Sequence, residues 1–590
     1  MMPLQNRWET MRLSEALQIL HKAPPDPSTP FKTFLASGFT PLHLKTFLAA
    51  YLRLALPAHR IEIETGLYGD LFGNLERLRD SGSNCGMVML EWSDLDARLG
   101  LRSLAGWDHS ALPEIADHVR SQLDRLRISL GKASQVLSVM MSLPTLPLPP
   151  IQYAVPSWNA SALYFELQEL VSSFALWIAR NTGVKTVSPE WLNRVSPPAD
   201  RFDVKSELLD GFPYTIRHAS AIAEAASRMA VAPPPKKGII TDLDNTFWKG
   251  ILGDVGPDGV SWDLDQKSHS HALYQSLLRS FAESGVLIAV ASKNGAALVE
   301  QAFEREDVIL GKSHIFPFEV HWSPKSKSIT RILEAWNIGP DSVVFVDDSE
   351  TELAEVKAAH PQVECISFPS DPNGAYRLLE RLRDQFAKPV TTEEDKIRLA
   401  SIRSAGLGRE ESGGTAAEVS EAFLERAQGV LTLSFDKDLW DPRVLELINK
   451  TNQFNLNGRR FTESELRDRL RDPDTILVKA SYQDKYGSLG KILVLLGKIC
   501  DRTLRVESWV LSCRAFSRRI EHACLAELLA RFGVETLEFD FTPTDRNKPI
   551  QEFFNGLLDG LPAAGIPLTR DRFLARGLRV FHRVEETAHA

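Results

Sequence analysis

Two short apolar runs of this chain each end on a pair of acidic residues. Asp242 and Asp244 follow the first run, and Asp347 and Asp348 follow the second. Apolar runs of this length between turn signals are typical of buried parallel strands, and open α/β sheets bind ligands at the carboxyl ends of their strands. Carboxylates gathered around one crevice repel one another unless a cation lies among them, and Mg²⁺ prefers oxygen ligands. The pattern therefore predicts a magnesium site for phosphoryl chemistry.

The order of polar segments resembles that of the haloacid dehalogenase (HAD) superfamily. Residues 242–246 (Asp-Leu-Asp-Asn-Thr) are similar to its first motif, and the strand-like run 286–291 leads to Ser-Lys-Asn at 292–294, similar to the second. Trp-Ser-Pro-Lys at 322–325 resembles the third motif, and Val-Asp-Asp at 346–348 resembles the fourth. A single Asp-x-Asp pair is weak, because such pairs are common in loops. Four motifs in order favour a phosphoryl-transfer site over solvated acids at strand ends.

The resemblance implies a role for each motif residue. Asp242 would attack phosphorus and form an aspartyl phosphate. Asp244 would protonate the leaving oxygen and later activate water. The Ser292 hydroxyl and the Lys325 ammonium would hold the transferred phosphoryl oxygens as negative charge develops. Lys327 is the alternative to Lys325, and the Trp-x-Pro pattern before Lys325 favours the latter.

Two sets of binding residues follow from the same resemblance. Phosphate binding is implied for Thr246, Ser292, Asn294 and Lys325. Magnesium binding is implied for Asp242, Asp244, Asp347 and Asp348. Orientation of Lys325 is the alternative role of Asp347. Mg²⁺ is the predicted cofactor.

A longer stretch around the first motif narrows the resemblance. Residues 242–256 are similar to the FkbH-like branch of the HAD superfamily, a more specific pattern than the four general motifs. Longer members of that branch carry an SGNH-hydrolase-like domain before the HAD domain and a GNAT-like domain after it. Lys249 stands where members usually have a small residue. It is either a surface change or an added positive charge beside the phosphate crevice.

The block before these motifs alternates short strands with helices. Residues 32–39, 60–65 and 86–92 are predicted strands of a small α/β sheet. The block stands where FkbH-like proteins have their SGNH-like domain, and a hydrolase would need a serine nucleophile and a histidine base. Ser37 lies at a predicted strand end without the expected Gly-Asp before it, and His218 is its candidate partner. A substrate- or carrier-docking module is therefore favoured over a hydrolase.

The last block resembles the GNAT-type acyltransferase fold. The similar pieces are residues 448–455, 509–514 and 543–549. A strand that enters a helix over 511–519 would aim backbone N–H groups at an anion, such as the phosphate of a pantetheine arm. Family members usually have glycine near Ser517, which permits close backbone approach. Its absence favours a carrier-bound phosphopantetheine over free coenzyme A.

Cys513 lies at the predicted junction of that strand and helix, next to Arg514. Helix N-termini and cations lower the pKa of a thiol and produce a nucleophilic thiolate. The alternative is a small buried apolar side chain, the commonest fate of a free cysteine. Carrier or acyl binding is implied for Asn452, Asn455, Arg514 and Asn547. The polar residues around Asn452 alternatively cap a helix.

The three blocks together predict an enzyme. FkbH-like proteins are associated with loading a glyceryl unit from 1,3-bisphosphoglycerate onto an acyl carrier protein, in polyketide biosynthesis, with loss of both phosphates. The resemblance implies that the HAD domain removes phosphate, Cys513 holds the acyl group as a thioester, and the GNAT-like domain presents the carrier thiol. One alternative is a phosphatase acting on another small phosphoester, with a non-catalytic C-terminal block. The other is a non-enzymatic module that assembles carrier proteins, which the intact motifs disfavour.

Composition agrees with a cytoplasmic enzyme. A length of 590 residues predicts two to four domains, and 43% hydrophobic with 25% charged residues is ordinary for globular proteins. The net charge of -9 disfavours a nucleic-acid binder, and five scattered cysteines are too few for a disulfide framework or a zinc ribbon. Residues 1–22 mix charges into their apolar positions, unlike a signal peptide, and the apolar stretch 136–151 is interrupted by prolines. We expect neither nucleic acid nor a membrane as a partner.

Changes in composition divide the chain into three predicted domains. Three consecutive prolines from Pro233 indicate a stiff linker, and a charged segment follows Pro389. The predicted fold is a multidomain α/β protein. Residues 1–232 form an SGNH-like α/β domain, 233–388 a Rossmann-like HAD domain with a parallel sheet, and 389–590 a GNAT-like α+β domain.

Overall fold

A computed structural model of the chain describes residues 10–587 with several gaps. Residues 23–28, 104–110, 149–156, 232–235, 439–440, 486, 513–514, 517, 545, 559, 563–566 and 578 lie outside the described part, as does 387–420 except for 395, 398, 399 and 402. Both predicted domain boundaries, at 232/233 and 388/389, therefore lie outside the described residues. No helix in the described ranges is both long and apolar enough to cross a membrane.

The chain forms two compact units. The first comprises Met1–Pro233 and Thr462–Glu465. The second comprises Pro234–Phe461 and Leu466–Ala590. Among the described residues, the first unit holds one sheet and the second holds two. This architecture confirms the predicted multidomain α/β fold, whereas the SGNH-like and GNAT-like identities of the outer blocks stay predictions.

The first unit is built on a parallel sheet with the strand order β2-β1-β3-β4-β5. Its strands are β1 (Thr29–Ser37), β2 (His59–Thr65), β3 (Cys85–Met89), β4 (Ser138–Ser142) and β5 (Lys185–Thr186). Its helices are Leu13–His21, Leu42–Ala55, Leu71–Asp80, Trp92–Leu95, Leu112–Ser134, Ala162–Asn181, Pro189–Val195, Val204–Asp210 and Ile216–Ala230. The three strands predicted from sequence correspond to β1, β2 and β3, with ends displaced by up to three residues.

The second unit begins with a parallel sheet of order β10-β9-β6-β7-β8. Its strands are β6 (Gly238–Thr241), β7 (Leu287–Ser292), β8 (Ile315–Val320), β9 (Val343–Asp347) and β10 (Glu364–Ser367). Its helices are Leu252–Val255, His269–Glu283, Ala296–Phe303, Lys325–Trp336, Glu350–Ala359 and Pro372–Phe386. The three central strands, β6, β7 and β9, are buried along their whole length, as expected of parallel strands covered on both faces.

Apolar side chains pack on both faces of this sheet. One face carries Ile239, Ile288 and Val344 within a cluster that includes helix His269–Glu283. The other carries Ile240 and Phe345 against helix Lys325–Trp336. The Trp336 ring lies so close to Gly238 that a Cβ there would stand 2.4 Å from it. Glycine at the start of β6 thus lets this helix pack directly on the sheet.

A second sheet of this unit is mixed, with the order β17-β16-β15-β14-β13-β11-β18 and β12 paired to β15. Its strands are β11 (Val430–Ser434), β12 (Phe454–Asn455), β13 (Thr475–Asp484), β14 (Gly487–Cys500), β15 (Thr503–Leu511), β16 (Thr536–Phe539), β17 (Leu568–Thr569) and β18 (Arg583–Glu586). The helices are Glu421–Ala427, Pro442–Lys450, Ile520–Arg531, Lys548–Leu558 and Arg570–Ala575, together with Glu463–Arg471, whose first three residues are counted with the first unit. Strands β13 to β15 pair antiparallel, and β16 joins β15 in parallel.

Candidate active site

The register of the first sheet of the second unit brings the predicted motif residues together. Thr241, the last residue of β6, pairs with Val346 of β9 and with Val290 of β7. The next residue, Asp242, donates its backbone N–H to the Val346 carbonyl at 2.9 Å. Asp347 ends β9, and Ser292 ends β7. The carboxyl ends of three adjacent strands therefore present these side chains along one edge of the sheet.

Lys325 lies at the centre of the acidic residues. Its Nζ is 2.9 Å from Asp242 Oδ1 and 2.6 Å from Asp347 Oδ2, and it also forms an ion pair with Glu352. Lys325 is the first residue of helix Lys325–Trp336 and is buried, whereas Lys327 is exposed. Of the two lysines considered from sequence, Lys325 is the one in contact with the candidate nucleophile.

Burial is the largest influence on the pKa values of Asp242, Asp347 and Lys325. It raises the pKa of Asp242 to about 7, an effect that Lys325 opposes and Asp347 reinforces. Burial also raises the pKa of Asp347, again opposed by Lys325. Burial lowers the pKa of Lys325, but Asp242 and Asp347 outweigh it and the net direction is upward. The lysine therefore stays charged, and it opposes the effect of burial on the two carboxylates without cancelling it.

Three of the four predicted metal ligands form one acidic group. Oxygen atoms of Asp242, Asp347 and Asp348 lie within 4.8 Å of one another, with Asp348 exposed and the other two buried. Three hard carboxylate donors with one solvent-facing member match the preference of Mg²⁺, which keeps several waters in its shell. The residues present therefore fit a magnesium ion, and one entering beside Lys325 would offset the remaining negative charge.

Asp244 does not belong to that group. Its Oδ1 accepts hydrogen bonds from Trp248 Nε1 at 3.0 Å and from the Leu252 backbone N–H at 3.1 Å. Its Oδ2 accepts one from Asn294 Nδ2 at 3.1 Å, and the same amide donates to Ser292 Oγ at 3.0 Å. This network orients Asp244 and links it to the second motif, whereas its acid–base role stays a prediction. Magnesium binding by its side chain stays a prediction.

Thr246 is buried in the turn that follows Asp244. Its backbone N–H donates to the Leu243 carbonyl at 3.3 Å, and its Oγ1 is buried without a hydrogen-bond partner in the described part of the chain. A buried hydroxyl in this state costs free energy. Phosphate binding by Thr246 stays a prediction.

Glu352 is a site residue that sequence reasoning missed. It forms an ion pair with Lys325 and another, 2.8 Å long, with Lys293. These two lysines keep the pKa of Glu352 below its ordinary value although burial would raise it. In the sequence, Ser349 and Glu352 have the spacing of a capping box, and Ser349 Oγ does accept the Glu352 N–H at 3.4 Å. The local signal thus indicated a helix start and gave no sign of the contact with Lys325.

The asparagines of the last block that were predicted to bind the carrier or acyl group form hydrogen bonds within that block. Asn547 Nδ2 donates to the carbonyls of Asn455 and Thr542 at 3.0 and 2.9 Å. Asn455 is buried and bonds the Thr451 carbonyl at 3.0 Å. Asn452 Oδ1 accepts a hydrogen bond from Arg460. Their role in carrier or acyl binding stays a prediction. Cys513 and Arg514 lie outside the described residues.

Ser37 and His218 in the first unit are bonded to different partners. Ser37 lies at the end of β1, is buried, and donates to the Phe39 carbonyl at 2.8 Å. His218 Nε2 is 2.9 Å from Thr145 Oγ1, and its Nδ1 is 2.9 Å from Ser196 Oγ. The described contacts thus give no nucleophile–base pair between Ser37 and His218, and the docking role of this block stays a prediction.

His218 is expected to link the stability of the first unit to pH. Burial lowers its pKa from 6.5 to about 3, and Arg201 acts in the same direction. As the pH falls below 6.5, the unfolded chain gains a proton that the folded chain does not, so stability falls, by at most about 1.4 kcal/mol per pH unit. Replacement His218→Gln should remove this contribution and leave those of other groups, such as Glu91 and Asp94, whose raised pKa values act in the opposite direction. The stability of wild type relative to the variant should therefore fall by about 2 kcal/mol between pH 7 and pH 5. Urea denaturation at the two pH values measures it.

The matched control for that experiment is His21→Gln, at an exposed position in the same unit. Its stability should follow the wild-type pH dependence. An unchanged slope in His218→Gln would show that His218 is protonated in the folded state.

Comparisons with known proteins bear on the fold. No family model and no curated protein matches this chain. Among solved structures, the chain is similar to the N-terminal part of the protein BF1531 from Bacteroides fragilis, which contains a phosphatase domain and was crystallised in complex with Mg. The identity is 20% and the TM-score 0.51, over 64% of this chain and 99% of that one.

The matched share is larger than residues 233–388 alone could supply, so the likeness extends beyond the sheet that carries the candidate site. At this identity the match concerns the fold. The chain is therefore similar in fold to a structure that contains a magnesium-bound phosphatase domain.

Proposed function

We propose that this protein is a Mg²⁺-dependent phosphatase of the HAD type. The observation that carries the proposal is the contact between buried Asp242 and Lys325 at 2.9 Å, with Asp347 and Asp348 beside Asp242. A carboxylate held by a lysine at the edge of a parallel sheet is suited to nucleophilic attack on phosphorus. Magnesium held by Asp242, Asp347 and Asp348 would supply charge stabilisation for the phosphoryl oxygens.

The proposed reaction proceeds in two displacements. In the first, an Asp242 oxygen forms a bond to phosphorus while the bond to the leaving oxygen breaks, and protonated Asp244 gives its proton to that oxygen. In the second, the Asp244 carboxylate takes a proton from water, whose oxygen attacks phosphorus and releases phosphate from Asp242. Lys325 and Ser292 hold the phosphoryl oxygens throughout. The hydrogen bond from Asn294 keeps Asp244 in place between the steps.

Metal removal tests this proposal. Treatment with EDTA should abolish release of phosphate from a small phosphorylated substrate, because the acidic group then repels the incoming anion. Adding Mg²⁺ in excess of the chelator should restore the rate. Phosphate release measured with and without chelator gives the answer. Full activity in EDTA would rule out the proposed chemistry.

The finer proposal is that the substrate is a three-carbon acyl phosphate such as 1,3-bisphosphoglycerate and that the acyl group is loaded onto an acyl carrier protein. Its support is the FkbH-like stretch 242–256 and the resemblance of the last block to GNAT-like acyltransferases. Cys513 and Arg514 would act at the thioester stage, with Asn452, Asn455 and Asn547 near the carrier. The cytoplasm is the proposed location.

The mass of a carrier protein tests the finer proposal. A candidate carrier with its phosphopantetheine arm, incubated with enzyme, Mg²⁺ and 1,3-bisphosphoglycerate, should gain the mass of one glyceryl group. Omission of the enzyme is the control. Phosphate release without any change in carrier mass would favour the second candidate, a phosphatase for another small phosphoester with a non-catalytic C-terminal block.

A further inference from the structure

A cavity in the second unit lies at the opposite end of strand β6 from the acidic group. Lys237, at its edge, immediately precedes β6, whereas Asp242 immediately follows that strand. At about 3.3 Å per residue, the two positions are roughly 16 Å apart. The cavity measures about 80 Å³, whereas one water molecule needs roughly 10–15 Å³. It therefore has room for a ligand of several atoms and is separate from the phosphatase site.

Positive charge dominates the walls of this cavity. Among the described residues that line it are four cations and one carboxylate: Lys237, Arg398, Arg443, Lys450 and Glu446. Arg443 Nη1 and Lys450 Nζ donate to the two oxygens of Glu446 at 2.7 and 2.6 Å. Lys237 Nζ donates to the backbone carbonyl of Lys450 at 3.0 Å. A single carboxylate thus faces two cations directly, with two further cations in the same walls.

The directions of the pKa shifts of Lys450 and Glu446 agree with a positive electrostatic potential in the cavity. Burial lowers the pKa of Lys450, and Arg398 lowers it further, against the effect of Glu446. Burial would raise the pKa of Glu446, but Arg443 and Lys450 outweigh it and the net direction is downward. Arg398 itself is paired with Asp395 at 2.6 Å, and the charge of Asp395 acts on the pKa of Lys450 in the upward direction. Cations gathered in a partly enclosed space attract anions more strongly than the same cations at the surface.

Two buried polar atoms in these walls have no hydrogen-bond partner in the described part of the chain. They are Arg443 Nε and Gln453 Oε1. Arg443 is 8% exposed, so solvent reaches little of its guanidinium. The Gln453 amide turned by 180° would present an N–H donor in place of its oxygen. Buried donors without partners cost free energy, and a ligand with acceptor oxygens would recover it.

We infer that this cavity is a binding site for a small anion that carries a carboxylate or a phosphate group. Arg443 and Lys450 would bind the anionic oxygens, and Gln453 would complete the hydrogen bonds. A guanidinium is suited to both anions because its N–H groups match paired oxygens. The inference goes beyond the proposed phosphatase chemistry and does not depend on it, since the cavity lies at the other end of β6. Asn452, which the finer proposal places near the carrier, also lines this cavity.

Isothermal titration with small anions tests the inference on the full-length protein. The probes are inorganic phosphate and glycolate, and uncharged ethylene glycol serves as the negative probe. EDTA is present throughout, so that the acidic group at Asp242 does not contribute a metal-dependent phosphate site. We expect at least one anion to bind and the diol not to bind, and the stronger of the two anions identifies the natural ligand class.

The decisive variant is Gln453→Glu, which keeps the shape of the side chain and adds one negative charge to the cavity wall. Binding of the anion should weaken by a factor of ten or more. The matched control is Gln362→Glu, an equal charge change at an exposed position in the same unit, and its affinity should equal that of wild type. Equal affinities for wild type and Gln453→Glu, or the failure of both anions to bind, would overturn the inference.

Discussion

Replacement of Asp242 by asparagine should reduce phosphate release by a factor on the order of a thousand or more, because an amide cannot form the aspartyl phosphate. Asparagine has nearly the shape of the aspartate and can keep the backbone hydrogen bond to Val346. Lys325 would still have Asp347 and Glu352 as partners. Because burial already disfavours the charge of Asp242, the variant should be as stable as wild type. Phosphate assays and melting curves measured together separate the loss of chemistry from the loss of fold.

The control is Asp258→Asn, the same change at an exposed position in the same unit. It should leave both the rate and the melting point unchanged. Wild-type turnover in Asp242→Asn would remove Asp242 from the role of nucleophile. A lower melting point together with the lost activity would leave misfolding as the cause, and the proposal would then have to be decided by the metal dependence.

The sequence predicted the part of the site that depends on strand ends. An apolar run that stops at an acid places that acid at the carboxyl edge of a parallel sheet, and the pairing of Thr241 with Val346 then brings Asp242 next to Asp347. Lys325 was identified from a local pattern, Trp-x-Pro, and the structure shows it buried against both carboxylates. Local patterns thus sufficed for the residues that follow strand ends and for Lys325, which begins the helix after the third motif.

The missed features depend on contacts between segments far apart in sequence. Glu352 reaches Lys325 because helix Glu350–Ala359 packs beside helix Lys325–Trp336, and no spacing within either segment reveals this. The charged cavity draws on Lys237 before β6 and on Arg443 and Gln453 beyond the first sheet. Each of these side chains alone is typical of an ordinary solvated surface. Only their shared burial in the folded chain makes them a candidate site.

Replacement of Lys325 by methionine should both inactivate and destabilise the protein. Methionine fills the same space without the charge, which leaves the carboxylates of Asp242, Asp347 and Glu352 around a buried site with no lysine between them. Removing one partner of a buried ion pair typically costs about 3–5 kcal/mol, which corresponds to a decrease of roughly 5 °C in melting temperature for a unit as large as the second one. Phosphate release should fall with the loss of the charge that holds the phosphoryl oxygens.

Magnesium distinguishes this electrostatic explanation from a simple packing defect. If uncompensated carboxylates destabilise the variant, Mg²⁺ should restore part of the lost stability, because the cation binds the folded acidic group and not the unfolded chain. The increase in melting temperature between EDTA and Mg²⁺ should therefore be larger in Lys325→Met than in wild type. Lys327→Met, a change at an exposed neighbour, should behave as wild type in both solutions. An equal magnesium effect in Lys325→Met and wild type would mean that Lys325 does not balance the charge of the metal-binding carboxylates.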